Sequence, residues 1–338
     1  CDLADPDWID LVEEEIRELV SGSFLESATI VRTSAHTGEG LDALKEALEQ
    51  AAQQAAQQRG VSRVDAPFRM AIDRTFTIAG HGTVVTGSVS SGTLHVGDQA
   101  VLEPGHVEVR VRGLQNHDRK TDTVHAGQRA AINLVGVHHN EVTRGQELAA
   151  DGYLTPSQLM TVQLEVLPQA IRPLKHRSRV RMHLGTNETM ATVSMLKGSD
   201  IGPGQSGPAQ LFLAEPLVSS WNQAFVIRSE SPVTTIGGGR VLVPAAEKLK
   251  NASEATIRCL EQLEQGNASQ RAAAAIYFAG MSPWTMADLS RLAGIDDARS
   301  LCEQMINEGE LVQLKINAQR HLIWHRETLE ELYQRIEQ

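Results

Sequence analysis

The stretch from Lys175 to Leu184 places a basic side chain at every second position: Lys175, Arg177, Arg179, Arg181 and His183. In an extended strand this period sends Arg177, Arg179, Arg181 and His183 to one face, with Lys175 leading in, while Val180, Met182 and Leu184 take the other. Such a face can track phosphates; the plainer reading is a solvated edge strand whose cations block association. A second group is Asp73-Arg74 with Arg129 further along. Adjacent Asp-Arg is usually a surface ion pair worth little, but guanidinium groups that cannot be deprotonated can also reward an anion. A third feature is the turn at Ser34-Ala35, where Ser34 reads as a cap ahead of the helix that follows.

Hydrolytic motifs are missing. There is no H-E-x-x-H, no G-x-S-x-G and no G-x-x-x-x-G-K-[ST], and the dipeptide Gly-Lys never occurs. Twelve histidines show no metal-site spacing, and the adjacent His138-His139 would point to opposite faces of a strand, so they read as a polar loop. Three cysteines, Cys1, Cys259 and Cys302, without a C-x-x-C pair exclude a disulfide scaffold and a cysteine zinc cluster and fit a reducing cytoplasm.

The elements that must position these groups change character along the chain. At 338 residues two to four domains are expected, and no apolar run is long enough to span a membrane. The net charge of −11 is uneven: −9 over residues 1–65, +2 over 66–246 and −4 over 247–338, so a polyanion would dock on the middle. Asp5-Pro6 followed by Ile9, Val12, Ile16 and Leu19 predicts a helix; Ala28–Val31 predicts a strand; Leu41, Leu44 and Leu48 predict a helix that runs out into the Ala/Gln tract 51–58. This is the tail of an alternating α/β domain, with a linker near Asp65-Ala66-Pro67. From Phe68 the period becomes two, with glycines punctuating strands as in a small barrel, and a second such block runs from about Met160 to Val243 beyond a joint at Leu154-Thr155-Pro156-Ser157. After Pro244 four short helices, two strand-like runs about Asn317-Ala318 and a terminal helix give a winged-helix pattern.

Three places in this order resemble translational GTPases. The run Phe68–Ile78 followed by Gly80-His81-Gly82-Thr83-Val84-Val85-Thr86-Gly87 resembles the opening of their first barrel; Val96-Gly97-Asp98, Ala126-Gly127-Gln128-Arg129 and Arg144-Gly145 follow in order. The second barrel closes on Phe225–Arg228 and Thr235–Leu242, and Ser34–Gly40 resembles the guanine-side loop, with Asp2 where the aspartate of N-K-x-D would stand. The added winged-helix pattern, and Arg74 with Arg129, make the selenocysteine-specific elongation factor, the SelB type, the best match. A different translational GTPase, related to elongation factor Tu or initiation factor 2 gamma, is the alternative within the class. A nucleotide-free RNA-binding adaptor is the alternative outside it.

The resemblance implies a multidomain chain: a C-terminal remnant of a P-loop GTPase domain (1–63), two antiparallel β-barrels (66–151 and 155–247) and one winged helix (252–338). It reads as an internal piece of a longer protein. Asp2, Ser34 and Ala35 would read guanine. Asp73, Arg74, Arg129 and His81 would form a selenocysteine pocket, because a selenol is far more acidic than a hydroxyl and cationic donors reward its anion. Lys175, Arg177, Arg179 and Arg181 would contact tRNA. The intact protein would use GTP with Mg2+, neither expected to be held by this stretch alone, which lacks the phosphate loop and switch segments and so carries no catalytic residue. The partners implied are selenocysteinyl-tRNA, the ribosome and, through later winged helices, the insertion hairpin of the messenger RNA; no membrane is involved and a monomer is expected. The single winged helix, net negative, reads as scaffold.

Overall fold

The computed structural model describes residues 1–58, 63–78, 82–249, 252–295, 297–316 and 321–337. The chain falls into two compact units, Cys1–Ser62 and Arg63–Gln338.

In the first unit, α1 (Pro6–Val20) starts where expected: the Asp5 carboxylate accepts from the Asp7 N–H at 3.0 Å, and proline occupies the first turn, where a missing donor costs nothing. The second helix, α2 (Leu41–Gln58), continues through the Ala/Gln tract, so propensity alone carries it there. The strand predicted at Ala28–Val31 does not form. Those residues join no ladder, because a strand needs a neighbour and the regular elements described in this unit are both helices. The segment is instead tied to α1 by Arg32, which pairs with Asp10 at 2.7 Å and Glu13 at 2.6 Å.

The second unit opens with β1 (Arg69–Ile78), β2 (Gly82–Ser91), β3 (Thr93–His95), β4 (Gln99–Glu103), β5 (Val107–Asn116), β6 (Arg119–Thr121), β7 (Thr123–His125), β8 (Arg129–Val135) and β9 (Glu147–Ala149). Their order is β4-β9-β1-β2-β8-β5-β6, and β4 also pairs with β5, which closes the barrel. The period-two reading holds on the inner face: Met70, Ile72, Val109 and Val111 are buried. The second barrel comprises β10 (Ser157–Val166), β11 (Leu174–Lys175), β12 (Arg179–Leu184), β13 (Asn187–Met195), β14 (Asp200–Ile201), β15 (Ser206–Leu217), β16 (Ala224–Ser229) and β17 (Thr235–Val243). It closes in the order β10-β15-β13-β12-β16-β17, around Met160, Leu164, Met182, Leu211 and Ile227.

Arg69 lies on the polar face of β1 yet is buried, in a two-pronged pair with Glu147 of β9. Its guanidinium also donates to Ser220 Oγ at 2.7 Å and Gln223 Oε1 at 2.8 Å, both in the segment joining β15 to β16. This polar knot therefore fastens the two barrels together.

Helices α3 (Glu254–Gln265), α4 (Ala268–Ala279), α5 (Asp288–Ala293) and α6 (Ala298–Glu308) follow, then the hairpin β18 (Leu311–Lys315) and β19 (His321–His325), and α7 (Arg326–Glu337). Ser253 caps α3 and an Asn267–Gln270 capping box starts α4. The helices dock on the second barrel through Trp221. Its indole N–H donates to Leu263 O at 2.9 Å, Arg271 stacks 4.9 Å from its ring centroid, and a Cβ on Gly294 would lie 2.5 Å from the ring, so only glycine fits. No helix among the described residues is long and apolar enough to cross a membrane.

Two outcomes follow. Glu147→Gln leaves the Arg69 charge buried and uncompensated and is expected to cost about 3–5 kcal/mol in urea unfolding, most of it recovered in the Arg69→Met/Glu147→Gln double variant. Burial pushes the His325 imidazole below its ordinary value, and its Nδ1 accepts from the Glu327 N–H at 3.3 Å in the neutral form. A group that binds its proton less readily when folded leaves stability intact above the ordinary value near 6.5 and erodes it as pH falls below. The melting temperature of the helical region should accordingly drop on mild acidification, and less so in His325→Gln.

Candidate functional site

In the first unit the structure brings Asp2 and Ser34 together. The buried Ser34 hydroxyl donates to Asp2 Oδ1 at 2.6 Å and accepts from the Thr37 N–H at 3.2 Å, while its backbone N–H donates to Glu39 O at 3.0 Å. The Ser34 hydrogen bond is also the main reason the Asp2 carboxyl sits below the usual carboxylate range. The Ser34 hydroxyl thus makes two separate contacts: it closes the turn through Thr37, while α2 begins only at Leu41, and it turns one Asp2 carboxylate oxygen inward. Ala35 is exposed on the same turn.

On the first barrel, the pairing of β1 with β2 slips between Ile72, opposite Gly87, and Arg74, opposite Thr86, so Asp73 is the extra residue of a bulge. Asp73 is met by Arg129 at the start of β8: Nη1 donates to Oδ2 at 2.5 Å and Nη2 to Oδ1 at 3.0 Å, and the Thr86 hydroxyl donates to Oδ1 at 2.8 Å. This bidentate contact, first of all, holds the Asp73 carboxyl low. Asp73 therefore orients Arg129, whereas the sequence reading left it either orienting Arg74 or meeting the amino group of the esterified residue. Arg74 is exposed and forms no ion pair among the described residues. His81 lies outside the described residues.

Sequence reasoning missed what lies beside this cluster. Arg74 neighbours Thr86, which neighbours Ala131, then Gln115, then Lys120, across β1, β2, β8, β5 and β6. The small Ala131 and Gly113 leave a cleft of about 330 Å³ with Phe76, Val84, Arg112, Lys120 and Asn133 around it. Phe76 is 40% exposed, and the buried Asn133 Oδ1 has no hydrogen-bond partner among the described residues. An apolar floor, a charged rim of Arg112, Lys120 and Asp122 and an amide acceptor suit a flat group that carries N–H donors. The available signal was the outward Phe76 two residues beyond Arg74.

On the second barrel the predicted basic face is only partly assembled. Arg177 adopts φ +66° and its N–H donates to Val193 O at 2.7 Å, which breaks the extended backbone that a period of two requires. Lys175 belongs to β11, in a separate two-stranded ladder with β14. Arg179, Arg181 and His183 do share the outer face of β12, and Arg228 of β16 lies directly across from Arg181. Acidic partners temper this face: Arg181 pairs with Glu188, and Arg179 lies 3.5 Å from Glu230. Arg228 was visible in the sequence as the outward residue alternating with Phe225 and Ile227.

In the helical region α6 buries Ala298, Cys302 and Met305, as its spacing indicated, and leaves Arg299 exposed. No group of three or more His, Cys, Asp or Glu side chains able to hold a metal occurs among the described residues.

Comparison with known proteins bears on the two barrels. Residues 161–248 match the model for the β-barrel domain of the selenocysteine-specific elongation factor, and residues 82–149 match elongation factor Tu domain 2. The selenocysteine-specific elongation factor of Desulfomicrobium baculatum is 36% identical over 288 residues, covering 85% of this chain and 45% of its own length. That of Escherichia coli (strain K12) is 32% identical over 72% of this chain and 37% of its own. Elongation factor Tu 2 of Streptomyces avermitilis is 30% identical, over 71% of this chain and 64% of its own. The crystal structure of a bacterial selenocysteine-specific elongation factor shares the fold, with a TM-score of 0.75 at 23% identity over 99% of this chain and 52% of that one. The chain thus spans less than half the length of the selenocysteine-specific relatives it matches in sequence. Over the regions these matches cover, the chain matches the selenocysteine-specific elongation factor family of the translational GTPase superfamily.

Proposed function

We propose that the whole protein delivers selenocysteinyl-tRNA to the ribosome at UGA codons in a GTP-dependent manner, in the cytoplasm, and that this chain supplies its tRNA-binding body. The observation that supports the reading is the match of the second barrel to the selenocysteine-specific model, together with the two-pronged Arg129–Asp73 pair on the first barrel beside Arg74, which forms no ion pair among the described residues.

In this reading the esterified residue sits at the β1 bulge. Arg74 and Arg129 face the selenolate, Asp73 keeps Arg129 oriented, and the adjoining cleft takes the terminal nucleotide. The acceptor arm then runs along Arg179, Arg181 and Arg228, where its phosphates displace the carboxylates of Glu188 and Glu230. Lys175 and Arg177, though off that strand face, remain exposed cations that can extend the track. GTP with Mg2+ is the cofactor of the superfamily. Asp2, with one carboxylate oxygen oriented by Ser34, and the exposed Ala35 amide fit the edge of guanine, whose binding couples nucleotide to delivery. The helices and hairpin after Pro244 support a winged helix acting as scaffold toward the messenger RNA insertion hairpin.

A second reading is favoured by the match of residues 82–149 to elongation factor Tu domain 2: a carrier of ordinary aminoacyl-tRNA. Charge discrimination separates the two. Arg74→Ala or Arg129→Ala should weaken selenocysteinyl-tRNA binding by roughly ten- to a hundredfold, the range of a hydrogen bond to a charged group, while seryl-tRNA binding barely changes. Equal losses for both sink the pocket assignment. For the track, Arg179→Ala should weaken tRNA binding uniformly across aminoacyl forms and reduce the slope of log K against log salt by about one if it neutralises one phosphate. An unchanged slope removes Arg179 from the track.

A further inference from the structure

The turn between β12 and β13 belongs to the second barrel but docks on the first. The Thr186 hydroxyl donates to the Ile72 carbonyl at 2.7 Å, and the Gly145 N–H reaches the same oxygen at 3.3 Å. The Ile72 N–H donates to Gln146 O at 2.9 Å. Ile72 is the residue at which the pairing of β1 with β2 slips, so Thr186 touches the backbone immediately before Asp73 and Arg74. The extra residue of a bulge has no ladder partner of its own, and its direction depends on what braces the peptides beside it. The approach is close. A Cβ on Gly145, whose φ is +100°, would fall 2.6 Å from Asn187 Nδ2 and 3.1 Å from its Cα.

We propose that Thr186 is a positioning residue: its hydroxyl, reaching across from the second barrel, holds the β1 bulge in the form that turns Asp73 onto Arg129 and leaves Arg74 exposed. This rests on the pocket reading above and deepens it, because it makes the geometry of the first barrel's site a property of both barrels. Thr186 is not needed to keep the barrels together. Arg69 links them independently through Ser220 and Gln223. Loss of the hydroxyl leaves the Ile72 carbonyl with only the longer Gly145 contact, and the effect should fall on the bulge.

The test compares Thr186→Val, which keeps the branched shape without the donor, with Thr186→Ser, which keeps the donor, in the full chain. Two readouts are taken: the NMR titration of the Asp73 carboxyl, which faces Arg129, Arg74 and Thr86, and the ratio of seryl-tRNA to selenocysteinyl-tRNA dissociation constants. In Thr186→Val the Asp73 titration should move up toward the ordinary carboxylate range, and the ratio should fall roughly two- to tenfold, as one hydrogen bond commands. Thr186→Ser should preserve both. Thr186→Ala provides the same deletion if valine disturbs the turn. Parent-like titration in both Val and Ala variants overturns the proposal, even if Arg74→Ala abolishes discrimination. A shifted titration restored by serine, with a ratio that neither Thr186→Val nor Arg74→Ala alters, keeps the positioning role and overturns the pocket reading instead.

Discussion

The first six residues of β1 carry the constraint on which the rest of the second unit depends. Arg69 ends in a buried pair with Glu147 and in hydrogen bonds to the other barrel. Met70 and Ile72 fill the first core, Ile72 offers its carbonyl to Thr186, and Asp73 and Arg74 stand at the bulge. A buried guanidinium tolerates little movement, since every displaced hydrogen bond leaves an unsolvated donor. The strand that presents the candidate pocket is therefore fixed at its start by electrostatics and, three residues on, by a hydrogen bond from outside its own barrel. The same segment that receives Arg69, at Ser220 and Gln223, holds Trp221 between them, and Trp221 anchors the helical region. A continuous chain of contacts runs from the bulge to α3.

Much of this architecture was legible because it rests on local rules. Strand alternation in Phe68–Ile72 and Val107–Arg112, the Asp5-Pro6 start of α1 and the helices after Pro244 all obey periodicity and capping, and they appear close to where the sequence puts them. What failed was non-local. Ala28–Val31 is apolar enough for a strand, but strand formation depends on a partner that composition cannot supply. Arg177 fits the two-residue period on paper, yet its φ of +66° is set by the hydrogen bond to Val193, sixteen residues on. Arg69 reads as an outward polar residue because its partners, Glu147, Ser220 and Gln223, lie far along the chain.

The candidate site shows the same division. Residue types at positions 73, 74 and 129 announced charge, and the structure gathers Asp73 with Arg129, but the pairing scheme follows from the bulge, which no local motif encodes. The cleft beside it arises from residues on five strands, and its depth from what is missing at Ala131 and Gly113. Absence of side-chain volume is invisible in a pattern search that looks for functional groups. On the second barrel, the carboxylates of Glu188 and Glu230 alter the meaning of the arginines they face: a stripe that reads as open cation in one dimension is a set of exchangeable ion pairs in three.

Exchangeability bears on how the proposed pocket would discriminate. Arg129 already has a carboxylate partner, so an incoming anion gains little from it unless Asp73 is shared, whereas Arg74 is exposed and has no ion pair among the described residues. An exposed cation rewards an anion only weakly, because water serves it almost as well. Discrimination on the reading given above therefore requires that the ligand itself remove water from Arg74. The cleft provides the means: a nucleotide seated against Phe76 and Val84 would carry its esterified residue across the row that begins at Arg74. Once covered, the guanidinium is satisfied by a selenolate and left uncompensated by a hydroxyl, and the cost of the wrong residue arises from burial that the right one also causes. Selectivity in such a site belongs to the ligand and the cleft together, and the bulge serves it by keeping Arg74 turned out until the ligand arrives.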